Sequence, residues 1–212
     1  VDLYSNDPRL HEIWDENLAA KIPAVTVHPA EHAATHPDRE AACTAASAGS
    51  PLTIATDGSW SRSQRSGAYA WVDSDGRYRT GVAPKAPSVA NTEVLAILSA
   101  IKGSPSNRKV TILSDSKTAI SLISGNGHAD NEHLSRLVLT ARMALESKPN
   151  VSLQWQRGHA GHALNTAADR LAMYARRCAD AAISPAADKV ASIASTAARK
   201  FADGELIADP AF

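Results

Sequence analysis

The 212-residue chain has little cysteine and no long apolar run, and each absence narrows what the protein can be. Its two cysteines, Cys43 and Cys178, lie far apart and form no CxxC pair, which argues against a disulfide framework and a zinc–thiolate site. No apolar run approaches the roughly 18–20 residues that a membrane helix needs. The amino-terminal residues also lack the basic-then-apolar pattern of a secretory signal. We therefore expect no membrane partner and a cytoplasmic location.

The chain also lacks an overall charge, but its charges are unevenly placed. Residues 1–50 carry three basic and eight acidic side chains, residues 51–178 carry sixteen and nine, and residues 179–212 carry three and five. The central segment is therefore net +7 between two acidic ends. Such a centre fits a polyanionic partner, although a moderate positive charge is also common on proteins that bind no nucleic acid.

The ends of the chain differ from the centre in pattern. Residues 6–21 have apolar side chains at helical spacing and predict one amphipathic helix, whereas residues 23–50 show no sustained periodicity and predict a linker. A helix is also predicted after Pro185. We expect these terminal segments to pack on the outer face of the central domain or to mediate assembly.

The centre alternates strands with helices, and no internal repeat occurs. Strands are predicted at 52–57, 66–73, 77–83, 109–115 and 151–156. Helices are predicted at 91–103, 116–124 and 131–147, and from Leu164 to about Ala182. The first three strands should form an antiparallel meander and the last two should run parallel to their neighbours, which predicts an α/β fold with a mixed sheet.

Four carboxylates stand at the ends or starts of these elements. Asp57 ends the first strand and Asp115 the fourth, Glu93 lies in the first turn of its helix, and Asp169 lies early in the helix after the fifth strand. Each of them taken alone is better explained as a turn, cap or surface residue. Together they should converge at the carboxyl ends of the strands, where oxygen ligands suit Mg²⁺ or Mn²⁺. Two such ions about 4 Å apart can activate a water and stabilise the leaving oxygen of a phosphodiester.

Four motifs in order over residues 52–177 resemble the type 1 ribonuclease H family: "ATDGSW", "NTEVLAI", "TILSDSKTAI" and "RGHAGHALNTAADRLA". The resemblance implies a ribonuclease H-like fold, in which a five-stranded mixed sheet of order 3-2-1-4-5 is flanked by helices. The catalytic domain would span residues 51–182. An acidic extension at 1–50 and a helical extension at 183–212 would flank it.

The resemblance also implies an activity: metal-dependent endonucleolytic hydrolysis of the RNA strand of RNA/DNA hybrids, leaving 5′-phosphate and 3′-hydroxyl ends. Asp57, Glu93, Asp115 and Asp169 would hold two Mg²⁺ ions, for which Mn²⁺ can substitute. His159 would match the family's mobile histidine, which assists proton transfer or product release, and a pKa of about 6.5 suits that role. His162 is interpreted as a structural residue of the loop.

The implied hybrid contacts fall on seven further residues: Gly58, Ser59, Asn91, Ser116, Lys117, Arg157 and Asn165. Trp60, Arg62 and Arg65 are further candidates for contact, whereas Trp71 is expected in the core. The chain departs from the family in three places. The turn after the first strand reads "SRSQRS", the helix glutamate is preceded by Ala90-Asn91, and no tryptophan- and lysine-rich protrusion lies between Ser124 and Pro149.

Two other interpretations stay open. The chain could be a non-catalytic nucleic-acid-binding or assembly module on the same scaffold, which the four intact carboxylates disfavour. It could also be the nuclease part of a larger reverse-transcriptase-like chain, because it begins at Val1 rather than at methionine. A metal site at His28, His32 and His36 is disfavoured, because Pro29 and Pro37 interrupt a helix there. A monomer is favoured.

Overall fold

The computed structural model describes residues 2–4, 26–28, 49–158 and 161–204, and it divides into a unit up to Ser47 and a unit from Ala48 onward. In the first unit, β1 (Asp2–Tyr4) pairs in parallel with β2 (Thr26–His28). Three-residue strands are too short to show a periodicity, which is why the sequence does not predict them. The predicted helix at 6–21, like His32 and His36, lies outside the described residues.

The second unit is built on a five-stranded sheet. Its strands are β3 (Leu52–Ser61), β4 (Ser66–Asp73), β5 (Tyr78–Pro84), β6 (Val110–Ser114) and β7 (Val151–Trp155), in the order β5-β4-β3-β6-β7. β3, β4 and β5 are antiparallel neighbours, whereas β6 runs parallel to β3 and to β7. Counted from β3, this is the order 3-2-1-4-5, and the predicted mixed sheet is confirmed.

Helices cover both faces of this sheet. They are α1 (Val89–Gly103), α2 (Lys117–Ile123), α3 (Glu132–Glu146), α4 (Ala163–Asp180) and α5 (Ala187–Ala202). Because side chains alternate along a strand, Ile54 packs with α1, α2 and α3 in one core, and its neighbour Ala55 packs with α4 and α5 in the other. In the part of the chain that the structure describes, no helix is long and apolar enough to cross a membrane.

Several element boundaries differ from the predicted ones by a residue or more, and two of these differences bear on the carboxylates. β3 does not end at Asp57 but continues to Ser61, because its pairing with β4 extends to Ser61 and Ser66. Its pairing with β6 stops at Thr56, so Asp57 is the first residue of β3 beyond the end of β6. Helix α1 begins at Val89, which places Glu93 past the first turn. Neither boundary could be predicted from the sequence, because the pairing of β3 with β4 and the early start of α1 do not change the spacing of apolar residues.

Candidate active site

Three of the predicted carboxylates meet at the carboxyl end of the sheet, the end at which β6 and β7 finish. Asp57 projects from β3, Asp115 directly follows β6, and Glu93 projects from α1. Each offers one carboxylate oxygen such that the three oxygens lie within 4.8 Å of one another. We call these three residues the acidic cluster. Its geometry can hold a metal ion.

Burial and mutual repulsion disfavour the charged forms of the cluster. Asp57 is 8% exposed and Glu93 is 7% exposed. Burial, followed by the charges of Asp169 and Asp115, raises the pKa of Asp57 to about 8. Burial, followed by the charges of Asp57 and Asp115, raises the pKa of Glu93 to about 9, although a hydrogen bond from the Gly58 backbone opposes this shift. A site that stores this much repulsion is suited to a cation.

Asp169, the fourth predicted carboxylate, lies beside the acidic cluster on α4. Its charge is the second-largest cause of the raised pKa of Asp57 and also contributes at Glu93. It is not one of the three residues whose oxygens all lie within 4.8 Å. The structure therefore brings three carboxylates together and places the fourth within electrostatic reach.

Two glycines allow the backbone to approach the cluster closely. A Cβ on Gly58 would lie 2.6 Å from the backbone nitrogen of Glu93, so α1 can rest against β3 only because the side chain is absent. A Cβ on Gly158 would lie 2.5 Å from Oδ2 of Asp115. Gly158 is not among the predicted site residues, although its place in the Arg-Gly-His motif is a signal in the sequence.

Three buried polar atoms have no hydrogen-bond partner in the described part of the chain, and all three belong to predicted site residues. They are Nδ2 of Asn91, Oε2 of Glu93 and Oδ1 of Asn165. Oδ1 of Asn91 is satisfied by the Ser88 hydroxyl, which donates to it at 2.8 Å. Buried polar atoms in folded proteins almost always have partners, so the orphaned Oε2 of Glu93, a member of the acidic cluster, is consistent with a ligand binding there.

The remaining predicted contact residues have protein partners or face solvent. The Ser59 hydroxyl accepts a hydrogen bond from Nε of Arg176 at 3.0 Å. Ser116 caps α2, accepting from the backbone nitrogen of Ala119. Lys117 places its ammonium 4.2 Å from the centre of the Trp155 ring, and Arg157 is exposed.

The aromatic and histidine candidates divide similarly. Trp71 is buried and donates to the Ser99 hydroxyl, and the Trp60 indole donates to the carbonyl of Ala86. His159 lies outside the described residues. His162 is the N-cap of α4: its Nδ1 accepts from the backbone nitrogen of Asn165, and burial lowers its pKa.

A cleft of about 400 Å³ opens beside Asn91, between the end of β5, α1 and α3. Three of its lining side chains are basic: Lys85, His133 and Arg136. The cleft could not be predicted from the sequence, because its residues come from three separated segments. Lys85 and Asn91, whose Nδ2 lacks a partner, therefore line the same cleft.

Comparison with known proteins agrees with this geometry. Residues 49–177 match the model of the RNase H family. A protein named Ribonuclease H from Anaeromyxobacter sp. (strain K) is 33% identical over 123 residues, which cover 53% of this chain and 63% of that protein. Two proteins of the same name from Anaeromyxobacter dehalogenans, strains 2CP-1 and 2CP-C, are 33% and 32% identical over the same shares. The chain thus spans less than two thirds of these relatives' length. With more than half of its residues inside the matched segment, the chain belongs to the RNase H family.

Proposed function

We propose that this protein is a divalent-metal-dependent endonuclease that hydrolyses the RNA strand of RNA/DNA hybrids. One observation carries the proposal: the buried polar atoms without partners belong to Glu93 of the acidic cluster, to Asn91 two residues before it on α1, and to Asn165 four residues before Asp169 on α4. A purely structural site would satisfy these atoms within the protein. A metal ion and a nucleic acid backbone together supply the cation, the acceptors and the donors that they lack.

The acidic cluster fits Mg²⁺ or Mn²⁺. Its ligands are carboxylate oxygens without cysteine, and Oε2 of Glu93 is buried without a partner. Asp57, Glu93 and Asp115, joined by Asp169, would hold two ions. When bound, the two ions supply an activated water and stabilise the oxygen that leaves the phosphodiester. Asp57 and Glu93 would ionise at neutral pH in that state, because a bound cation would offset the repulsion in the cluster.

The surrounding residues provide contacts to a hybrid. Asn91 and Asn165 are buried, so both side chains would have to become exposed to reach a hybrid. The Asn91 amide would then donate to a phosphate or sugar oxygen, and the Asn165 carbonyl would accept from a 2′-hydroxyl, the group that distinguishes RNA from DNA. Lys85, His133 and Arg136 in the neighbouring cleft can meet backbone phosphates. They would compensate in part for the protrusion that the sequence lacks.

Proton transfer is assigned to His159, three residues before His162. A histidine with a pKa near its usual value of about 6.5 exchanges protons readily at neutral pH. We propose that it assists proton transfer at the leaving 3′-oxygen or product release, giving 3′-hydroxyl and 5′-phosphate ends. A cytoplasmic location and a monomeric state also stay predictions.

The decisive experiment compares cleavage of an end-labelled RNA/DNA hybrid, double-stranded RNA and double-stranded DNA, in Mg²⁺ and in EDTA. We expect cleavage of the hybrid's RNA strand alone, only with metal, and strongly reduced by Asp57→Asn. Glu146→Gln, which neutralises an exposed carboxylate on α3, should cleave like the wild type. Equal cleavage of double-stranded RNA would contradict the proposed substrate. Hybrid binding without cleavage would favour the non-catalytic module.

A further inference from the structure

Helix α5 lies beyond the segment that matches the family model, yet it is part of the second unit's core. Its buried residues Val190, Ala194 and Ala197 pack in one cluster with Leu164 and Leu171 of α4. The helix thus covers the same face of the sheet as α4. Its carboxyl-terminal turn carries Phe201, which is partly buried against this cluster.

Phe201 also contacts the amino-terminal end of α4. Its ring centre lies 5.4 Å from that of His162, with the ring planes inclined at 54°. This tilted arrangement is one that aromatic pairs favour. The same imidazole uses Nδ1 to accept from the backbone nitrogen of Asn165 at 3.4 Å. His162 is therefore held by a ring contact and by a hydrogen bond.

The residues held in this way lead directly to the candidate active site. Asn165, whose backbone His162 caps, carries one of the orphaned buried atoms. Asp169 follows four residues later on α4, about one helical turn further. A change in the position of His162 would therefore shift the start of α4, and the side chains of Asn165 and Asp169 would move with it.

We propose that Phe201 is a positioning residue, which acts through His162 to hold Asn165 and Asp169 in the geometry that hydrolysis needs. The proposal rests on the proposed nuclease function. It assigns α5 a role in positioning active-site residues, although the proposed mechanism places no residue of α5 in contact with the acidic cluster. The substrate-binding and metal-binding groups stay those of α4.

The test uses Phe201→Leu, which keeps most of the apolar volume but removes the ring, and Val190→Ala as the matched control in the same helix. We expect Phe201→Leu to lower kcat by roughly 10-fold, since small misplacements of catalytic groups have effects of this size or larger. It should also raise the Mg²⁺ concentration that gives half-maximal rate. Val190→Ala should lower the melting temperature but change neither parameter, and Phe201→Tyr should keep wild-type values.

A double-mutant cycle with His162→Ala identifies the route of the effect. If Phe201 acts through His162, Phe201→Leu adds no further loss of kcat in the His162→Ala background. Losses that multiply independently, or a folded Phe201→Leu protein with wild-type kcat and Mg²⁺ dependence, would overturn the proposal.

Hydrogen exchange at the Asn165 amide separates this proposal from the nuclease function, because it needs no substrate. Exchange should be faster in Phe201→Leu than in Val190→Ala at matched stability. Faster exchange in a protein that fails to cleave hybrids would support the positioning contact while contradicting the proposed function. Unchanged exchange would refute the contact whatever the activity.

Discussion

The two ends of the five-stranded sheet bury carboxylates in opposite ways. At the end opposite the acidic cluster, Asp73 is fully buried, and its Oδ1 accepts from the backbone nitrogens of Asp75 and Arg77. Its Oδ2 accepts from Nε of Arg77 at 2.7 Å. Next to it, Asp75 pairs with Arg108, whose Nε donates to the Ser50 carbonyl at 2.7 Å. This end carries its own cations.

At the carboxyl end of the sheet, Asp57, Glu93 and Asp115 lack this kind of pairing within the part of the chain that the structure describes. Among residues 49–158 and 161–204, no ion pair joins Asp57, Glu93 or Asp115 to a lysine or arginine. The neighbouring charges that act on Asp57 and Glu93 are all carboxylates. The protein thus pairs acids with arginines at the end of the sheet opposite the acidic cluster, and leaves Asp57, Glu93 and Asp115 without such pairs at the end where we propose that a cation binds.

The largest predicted effect tests the acidic cluster at the carboxyl end of the sheet. Asp57→Asn keeps the shape of the side chain but removes one anionic ligand from the cluster. We expect hybrid cleavage in Mg²⁺ to fall on the order of 10³-fold, equivalent to about 4 kcal/mol of transition-state stabilisation. Steady-state rates measure the loss, and calorimetric titration with Mg²⁺ should show weaker binding. Near-wild-type rates with unchanged Mg²⁺ binding would mean that the cluster is not the metal site.

The next largest effect tests the opposite end of the sheet, where arginines pair with Asp73 and Asp75. Arg108→Met removes the cation of a buried pair and leaves Asp75 without it, which should cost about 2–3 kcal/mol of unfolding free energy. The melting temperature should fall by roughly 4–12 °C, with kcat unchanged for the folded protein. Arg136→Met is the stability control, because its pair with Glu132 is 78% exposed on both sides and contributes little. Equal losses of stability in Arg108→Met and Arg136→Met would contradict the claim that the pair of Arg108 with Asp75 stabilises the fold.

The sequence predicts the carboxyl end of the sheet, with the acidic cluster, better than the opposite end, where Asp73 and Asp75 pair with arginines. Apolar strand runs, helix periodicity and the polar residues that follow them predict the sheet and place Asp57, Glu93 and Asp115 at one end of it. The pairing of Asp75 with Arg108 crosses 33 residues and has no periodic signal. Such partners are chosen by tertiary packing, and the same holds for the contact between Phe201 and His162.

Element ends are harder to predict than element types. The sequence ends the first strand at Asp57, where the apolar alternation stops, but the structure continues β3 through Gly58 and Ser59 by backbone pairing with β4. The prediction of a converging site survives this error, because Asp57 still lies just beyond the end of β6.

A third prediction concerns pH and metal. Burial and repulsion raise the pKa of Asp57 to about 8 and that of Glu93 to about 9, so the metal-free folded state binds more protons than the unfolded state between about pH 4 and pH 9. Stability in EDTA should therefore be greatest below this window and fall as pH rises through it. Mg²⁺ should reverse the fall by binding the ionised carboxylates.

Thermal unfolding in EDTA and in Mg²⁺ across this window tests the prediction. At the alkaline end, Asp57→Asn should be more stable than the metal-free wild type by about 2 kcal/mol, or roughly 4–8 °C. Burial raises the pKa of Asp73 as well, so some pH dependence should persist in the variant. A metal-free wild type whose stability rises between neutral and alkaline pH would contradict the raised pKa values.

The smallest expected effect separates the position of a carboxylate from its charge. Gly158→Ala leaves every acidic residue in place, but the new Cβ would lie 2.5 Å from Oδ2 of Asp115 and force that carboxylate to move. Gly158 is not among the described glycines with positive φ, so the substitution adds no backbone strain, and the melting temperature should change by no more than about 2 °C. Cleavage should fall roughly 10-fold from misplacement alone.

Gly127→Ala is the matched control, because its Cβ would meet α2 at 3.2 Å, away from the cluster. It should keep wild-type activity. If Gly158→Ala also cleaves like the wild type at limiting Mg²⁺, the carboxyl end tolerates displaced ligands, and charge rather than geometry governs it. If Gly158→Ala loses activity without losing stability, cleavage requires the carboxylates of the acidic cluster to be correctly positioned as well as charged. Folding stability alone does not depend on that position.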